Sequence, residues 1–148
     1  MKHLPVVICT AFIAIFLISC KKDGRNKLTP YDLKGEWELE QASGDMPTKN
    51  FAPGSGNLAK FTNTSFEFYK DGSLVKSGKY TIVTDKTVVQ NVCQTIEPGK
   101  FTSRIVYDND YNSQKVFIDI IDGKLNVISG CFATDGGFLL IYGRHSSN

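Results

Sequence analysis

Cysteine and histidine are the side chains of this chain best suited to catalysis or metal binding, and both are scarce. The 148 residues include four cysteines and two histidines, and only one of these histidines, His145, lies beyond the first 20 residues. A nucleophilic serine or cysteine needs a supported histidine as its base, and a zinc site needs several ligands at short spacings. Cys93, Cys131 and His145 show no such spacing. The sequence therefore predicts no catalytic residue, no metal site, no cofactor and no enzyme activity.

The acidic segment 108–112 is a second place where metal chemistry can be considered. Asp108 and Asp110 alternate with polar residues, and Asp119 falls at the twelfth position counted from Asp108. This spacing is typical of a calcium loop, but Ser113 stands where such a loop needs glycine, and the flanking segments have strand character. A turn is the favoured interpretation, and a weak calcium site is the alternative.

Cys20 has a different chemistry because it follows a basic start and an apolar run. Residues 4–18 are almost entirely apolar, and about 15 such residues are too few for a membrane span, which needs roughly 20. Leu17-Ile18-Ser19-Cys20 has the pattern of a lipobox, in which the leader is cleaved and the cysteine is acylated. We therefore expect a signal peptide over 1–19 and lipidation of Cys20 by palmitate or a similar chain. The segment 20–33 then consists of the lipidated Cys20 followed by a polar tether. An uncleaved anchor helix with an incidental cysteine is the alternative.

The residue after Cys20 indicates in which membrane the lipoprotein is expected to reside. The leader resembles those of bacterial lipoproteins, in which an aspartate directly after the cysteine favours retention in the inner membrane. Lys21 follows here, so the resemblance implies an outer-membrane lipoprotein, on the periplasmic face or the cell surface, whose lipid anchor makes the membrane a partner. The formal net charge of +2, with no basic cluster beyond the tether, does not indicate nucleic acid as a partner.

Cys93 and Cys131 are the thiols that remain for the folded part, and an oxidising compartment permits a bond between them. In a strict meander of strands they would lie at opposite rims, two strands apart. Bonded cysteines need Cα atoms within about 7 Å. Either the thiols are free and buried, or the strand order differs locally and a disulfide forms.

Alternation of apolar and polar residues predicts strands along the rest of the chain. Trp37, Leu39 and Gln41 share one face of the first strand, and three glutamates share the other. Turn signals then recur about every 12 to 14 residues. The fold class is therefore all-β, with one domain over 34–148 that forms an eight-stranded antiparallel up-and-down barrel, and a seven- or eight-stranded sandwich is the competing architecture. The predicted strands are 35–43, 65–70, 73–84, 87–96, 100–108, 114–121, 124–132 and 138–145.

Two Asp-Gly pairs, at 71–72 and 122–123, predict tight hairpins whose registers follow by counting. The predicted pairs include Phe66–Ser77, Phe68–Val75, Ile118–Val127 and Ile120–Leu125. Gly78 is expected to mark a bulge or a bend. The long irregular loop 44–64, with a short helical turn near 57–61, is expected to cover the open end of the barrel.

An eight-stranded barrel is wide enough to be filled by side chains or to hold one small ligand. A lumen of about 300 Å³ or more would support binding, and a filled core would argue against it. The aromatic residues Phe61, Phe101, Phe117, Phe132 and Phe138 could line the lumen, although filling of the core is the favoured role for such residues. The possible lumen lining consists of Leu39, Phe66, Phe68, Tyr80, Val116, Ile118, Ile120, Val127 and Tyr142.

Three short motifs resemble those of the lipocalin-like domains of small bacterial lipoproteins. They are Gly35-x-Trp37 in the first strand, the 66–72 hairpin followed by Gly78-Lys79-Tyr80, and the ending 141–144. The resemblance covers about residues 33–145. It implies a lipocalin-like (calycin) barrel closed at one end by Gly35, Trp37 and Arg144, with the guanidinium over the indole. Lipocalins proper carry a helix after the last strand, and no C-terminal helix is expected here.

For function, these observations and the resemblance lead us to expect a non-enzymatic, membrane-anchored lipoprotein that binds a small apolar or amphiphilic ligand in its barrel. The alternative is a protein-interaction or inhibitor module of the cell envelope with a filled core. Its partner would be an envelope protein or a host protein.

Overall fold

Alternating apolar and polar residues form the strands of this chain, as the period of two along an extended backbone requires. The computed structural model describes residues 27–131 and 136–145. The elements are α1 Pro30–Leu33, β1 Gly35–Gly44, β2 Lys49–Asn50, β3 Leu58–Phe61, β4 Ser65–Lys70, β5 Ser73–Thr84, α2 Val88–Val92, β6 Ser103–Tyr107, β7 Val116–Ile121, β8 Lys124–Ser129 and β9 Phe138–Arg144.

Eight of these strands form a closed antiparallel barrel. They pair in the order β1-β3-β4-β5-β6-β7-β8-β9, and β9 pairs again with β1. The short β2 adds to β1 beyond the end of β3. The predicted eight-stranded antiparallel barrel is confirmed, and within the described residues no helix follows the last strand. Neither helix of the described part has the length and apolar character that crossing a membrane requires.

Two predicted elements are wrong, and they exchange roles. Within the predicted helical turn 57–61, residues 58–61 form strand β3, in which Ala59 and Phe61 are buried and Leu58 and Lys60 are half exposed. The predicted strand 87–96 contains helix α2, in which Val88 and Val92 are both buried. The spacing of four residues between Val88 and Val92 places both side chains on one face of a helix, but it also places them on one face of a strand. Because β-branched residues are enriched in strands, the sequence favoured a strand here.

The hairpin registers are partly as predicted. Around residues 122–123 the pairs Ile118–Val127 and Ile120–Leu125 are confirmed. Around residues 71–72 the predicted register is wrong beyond the first two pairs, because a bulge lets Phe68 pair with Lys76. The extra residue of this bulge is Val75.

Two further details of the strands differ from expectation. Gly78 pairs regularly with Phe66, and no bulge lies there; a Cβ at Gly78 would collide with the carboxylate of Asp108. In β1 the register shifts between Leu39 and Gln41. This shift turns Gln41 to the outside, so the predicted face shared by Trp37, Leu39 and Gln41 ends at Leu39.

The apolar side chains form two separate clusters. The inner cluster fills the barrel, and it extends from Leu33 of α1 and Trp37 of β1 to the inward residues of every other barrel strand. The outer cluster lies on the opposite face of β7 and β8, where Phe117 and Ile128 are covered by α2 and by Phe101. Phe101 and Phe117, considered as lumen residues from the sequence, therefore lie outside the barrel.

The outer cluster is held by a disulfide between Cys93 and Cys131, whose Cα atoms are 5.0 Å apart. Cys93 is the residue directly after α2, and Cys131 follows β8. A strict meander would have kept these residues at opposite rims. The pairing arises because α2 replaces a strand, so the chain after it crosses the outside of the barrel.

Candidate ligand-binding lumen

One end of the barrel, here called the floor, is where β1 begins and β9 ends. Arg144 lies over Trp37, with its guanidinium carbon 3.9 Å from the centre of the ring. Its two terminal nitrogens donate to the carbonyls of Lys34 at 2.6 Å and Asp32 at 2.7 Å. The indole N–H donates to the carbonyl of Leu33 at 2.7 Å. The floor is therefore closed by contacts among the first strand, the last strand and α1.

Gly35 lets the guanidinium approach this closely. Its φ is +125°, a backbone conformation that residues with a side chain rarely adopt, and a Cβ there would lie 2.7 Å from Nη1 of Arg144. Gly35, Trp37 and Arg144 thus meet at one place, which makes their shared role structural.

Helix α1 joins the floor although its residues fall in the segment predicted as a tether. Pro30 occupies its first turn, where proline is tolerated because no backbone N–H is needed, and the N–H of Thr29 donates to the carboxylate of Asp32 at 2.7 Å. Leu33 is completely buried in the inner cluster. These residues therefore pack with the barrel.

The opposite end, here called the mouth, is surrounded by the loops 45–57, 71–72 and 108–115. The first loop is attached rather than free. The carboxylate of Glu38 accepts a hydrogen bond from the N–H of Gly54 at 2.6 Å, and the N–H of Gly72 donates to the carbonyl of Gly56 at 3.0 Å. The loop is thereby held against β1 and the β4–β5 turn.

Beneath the mouth the lumen contains an apolar cavity of about 170 Å³. An engineered apolar cavity of about 150 Å³ stays dry and holds benzene, whereas pockets for drug-sized ligands begin near 300 Å³. The lumen thus falls below the volume expected of a general binding site and is largely filled. The cavity is lined by Ala59, Phe61, Phe68, Tyr107, Val116, Leu125, Val127, Phe138, Leu140 and Tyr142.

The predicted lumen residues divide into two groups. Phe68, Val116, Val127 and Tyr142 line the cavity. The others do not line it: Phe66, Tyr80, Ile118 and Ile120 belong to the inner cluster, and Leu39 lines the neighbouring portal. Six lining residues are absent from the predicted lining, although two of them, Phe61 and Phe138, are among the aromatic candidates. Ala59 lay in the misassigned helical turn, and the registers of β6 and β9, which carry Tyr107 and Leu140, could not be counted from a two-residue turn.

A second cavity, here called the portal, adjoins the lumen between β1 and β4. Its volume is about 380 Å³, and it shares the side chains of Phe68 and Tyr142 with the lumen cavity. It exists because β3 begins only at Leu58, so nearer the mouth β1 pairs with the short β2 and no strand pairs with this edge of β4. Its remaining lining is Leu39, Lys49, Phe51, Asn57, Leu58, Tyr69, Lys70 and Asp71.

Three tyrosines bring phenol groups into the inner cluster. Burial raises the pKa of Tyr80 and of Tyr142 to about 12. Burial, together with the neighbouring Tyr142 and Tyr80, also raises the pKa of Tyr107. The hydroxyl of Tyr80 donates to the carbonyl of Thr62 at 2.7 Å. At physiological pH these groups are therefore neutral hydrogen-bond donors.

Lys76 places a positive charge beside the lumen. Through the bulge at Val75 it pairs with the inward-facing Phe68. Its ammonium lies 5.7 Å from the ring centre of Phe66 and 5.5 Å from that of Tyr107. Within the described residues no carboxylate lies within 4 Å of this ammonium, since the ion pairs there involve other cations.

Each of the remaining polar candidates has a partner within the protein. His145 lies 3.3 Å from the carboxylate of Glu38. Asp110 accepts hydrogen bonds from the N–H groups of its own turn, and Asp119 accepts from the N–H of Phe101, far from that turn. Within the described residues no three potential metal ligands cluster. Cys20, the leader and Phe132 lie outside the described residues.

No protein-family model, curated protein or solved structure matches this chain.

Proposed function

We propose that this protein is a non-enzymatic, lipid-anchored, lipocalin-like lipoprotein that binds a small apolar or amphiphilic molecule in its barrel. The observation that carries this proposal is the apolar cavity beneath the mouth, whose volume of about 170 Å³ is below the roughly 300 Å³ of a general binding site but sufficient for one small apolar group. Its walls are aliphatic and aromatic, and it shares Phe68 and Tyr142 with the adjoining portal. A ligand that fills it is a short chain or a single ring, with a polar end in the portal or at the mouth.

Binding in the lumen is tested with straight-chain alcohols of increasing length. Each methylene that enters an apolar cavity contributes about 0.8 kcal/mol, which is roughly a fourfold gain in affinity. We expect this gain until the cavity is full and no further gain for longer chains. Isothermal titration calorimetry of the full chain in lipid nanodiscs, with empty nanodiscs as the reference for partitioning, measures the series.

Two variants connect the binding to the lumen. Val127→Phe fills part of the cavity and should abolish binding, whereas Leu140→Ala enlarges it and should move the optimum to longer alcohols. Thr81→Phe is the matched control because it adds the same ring at an exposed position on β5. Alcohols that fail to bind wild-type protein, or that bind Val127→Phe equally well, would contradict the proposal.

The anchor and the outer-membrane location are proposed from residues 17–21, with acylated Cys20 as the attachment point. Mass spectrometry of the N-terminal peptide from membrane-extracted protein should show the acyl mass on Cys20. Cys20→Ser should appear in the soluble fraction. An unmodified thiol in protein that still sediments with the outer membrane would refute lipidation.

The alternative, an interaction module for an envelope or host protein, is favoured by exposed apolar side chains around the mouth. Met46 is 77% exposed and Val75 is 59% exposed, and Leu74 and Tyr111 are also exposed. A partner at the mouth should be lost from a pull-down with Met46→Ser/Val75→Ser. Val89→Ser is the control, since Val89 is 55% exposed and lies near Lys27 and Thr84, away from the mouth. Equal recovery with both variants would count against this alternative.

A further inference from the structure

We propose that the ligand of the lumen is a carboxylate-headed amphiphile, whose head group binds the ammonium of Lys76 while its apolar part enters the cavity. This inference depends on lumen binding as proposed above, and it specifies the chemical class of the ligand. The carboxylate supplies the negative charge that Lys76 lacks among the described residues.

The bulge in β5 is the first argument. With a regular hairpin, Val75 would face Phe68 on the lumen side and Lys76 would point outward. The bulge leaves Val75 exposed and brings Lys76 opposite Phe68. Bulges commonly redirect a side chain next to a functional site. Here the redirection replaces an apolar residue at the mouth with a cation, which an apolar filling of the barrel would not need.

The environment of the ammonium is the second argument. It lies over the rings of Phe66 and Tyr107, at 5.7 and 5.5 Å, which orients it without neutralising its charge. The acidic residue that follows Tyr107, Asp108, accepts a hydrogen bond from the backbone N–H of Lys79 at 2.8 Å and forms no ion pair with Lys76. The charge at the mouth is thus available to a ligand.

The position of the charge relative to the cavity is the third argument. Tyr107 both contacts the ammonium and lines the cavity, so the apolar space begins beside the charge. The neutral phenol of Tyr107 can donate a further hydrogen bond to the same carboxylate. The portal adds Lys49 and Lys70 against one acid, Asp71. A head group with one negative charge and two acceptor oxygens matches this arrangement.

Three probes with the same chain test the inference, namely octanoate, 1-octanol and octylammonium. They are titrated calorimetrically into the full chain in nanodiscs of neutral lipid. We expect octanoate to bind about tenfold more tightly than 1-octanol, as one charge-assisted contact typically provides, and octylammonium to bind most weakly. The advantage of octanoate should shrink as the salt concentration rises, because ions screen the contact.

Lys76→Met should remove the advantage of octanoate and leave the affinity for 1-octanol within about twofold. Lys79→Met is the matched control, because it removes the same charge from the outward face of the same strand. It should retain the preference. Equal binding of octanoate and 1-octanol to wild-type protein, or a preference that survives Lys76→Met, would overturn this inference while leaving lumen binding intact. If none of the three probes binds, lumen binding itself fails.

Discussion

Replacing Arg144 with methionine tests the closure of the floor. Methionine keeps a long apolar side chain over Trp37 but cannot donate hydrogen bonds. Wild-type Arg144 donates at 2.6 and 2.7 Å to the carbonyls of Lys34 and Asp32, and its guanidinium carbon lies 3.9 Å from the indole centre. The variant loses all three interactions, and the carbonyls of Asp32 and Lys34 lose these donors.

The expected magnitude follows from these contacts. Each hydrogen bond contributes about 1 kcal/mol, since the residue is partly open to water, and the cation–π contact adds about 0.5 to 1 kcal/mol. The free energy of unfolding should therefore fall by about 3 kcal/mol, a large share of the 5 to 15 kcal/mol typical of a domain.

Urea unfolding followed by fluorescence measures this change directly, because Trp37 is the only tryptophan and reports on the floor itself. Lys124→Met is the control. It breaks an exposed ion pair with Glu40, whose length is 2.6 Å, and should cost no more than about 1 kcal/mol. If Arg144→Met is as stable as Lys124→Met, the floor is not held by these contacts.

Three further predictions concern stability. Gly35→Ala should lower the free energy of unfolding by about 2 kcal/mol, because its φ of +125° strains any side chain and the Cβ would collide with the guanidinium above it; an unchanged urea midpoint would contradict this. Cys93→Ser/Cys131→Ser should lose roughly 3 to 4 kcal/mol by loop entropy, and hydrogen exchange should rise first in α2; protection that stays uniform would refute the assigned role of the bond. Burial opposes ionisation of Asp85, but hydrogen bonds from Thr87 and the ammonium of Lys115 outweigh it and hold the pKa at about 2. Because this folded-state pKa lies below the unfolded value of about 3.9, the contribution is present above pH 4 and is lost as the pH falls towards 2. Asp85→Asn should flatten that part of the stability profile, and an identical profile would show that the pair is energetically silent.

The sequence was informative wherever local chemistry determines geometry. The Asp-Gly pair at 122–123 gave the correct register for the whole β7–β8 hairpin, since both central positions tolerate positive φ. The same counting failed at 71–72. The bulge at Val75 brings Lys76 next to the rings of Phe66 and Tyr107 on other strands, and the residues of the turn do not encode these partners.

Elements whose stability depends on distant contacts were also missed. Val88 and Val92 form a helix because Phe117 and Ile128 lie beneath them on the outside of the barrel. The sequence of the segment 87–96 alone does not indicate that Phe117 and Ile128 will pack against it. The volume of the lumen likewise depends on how ten side chains from several strands pack, which the pattern of inward positions does not determine.

The division of apolar residues between two clusters has a consequence for how this barrel can change. Most small barrels depend on the packing of their interior, so emptying it to admit a ligand directly weakens the fold. Here part of the apolar packing lies outside, under α2, and is fastened by the Cys93–Cys131 bond. Substitutions that reshape the cavity therefore spare a second, independent source of stability. That separation makes the interior of this protein a place where side chains can diverge while the scaffold persists.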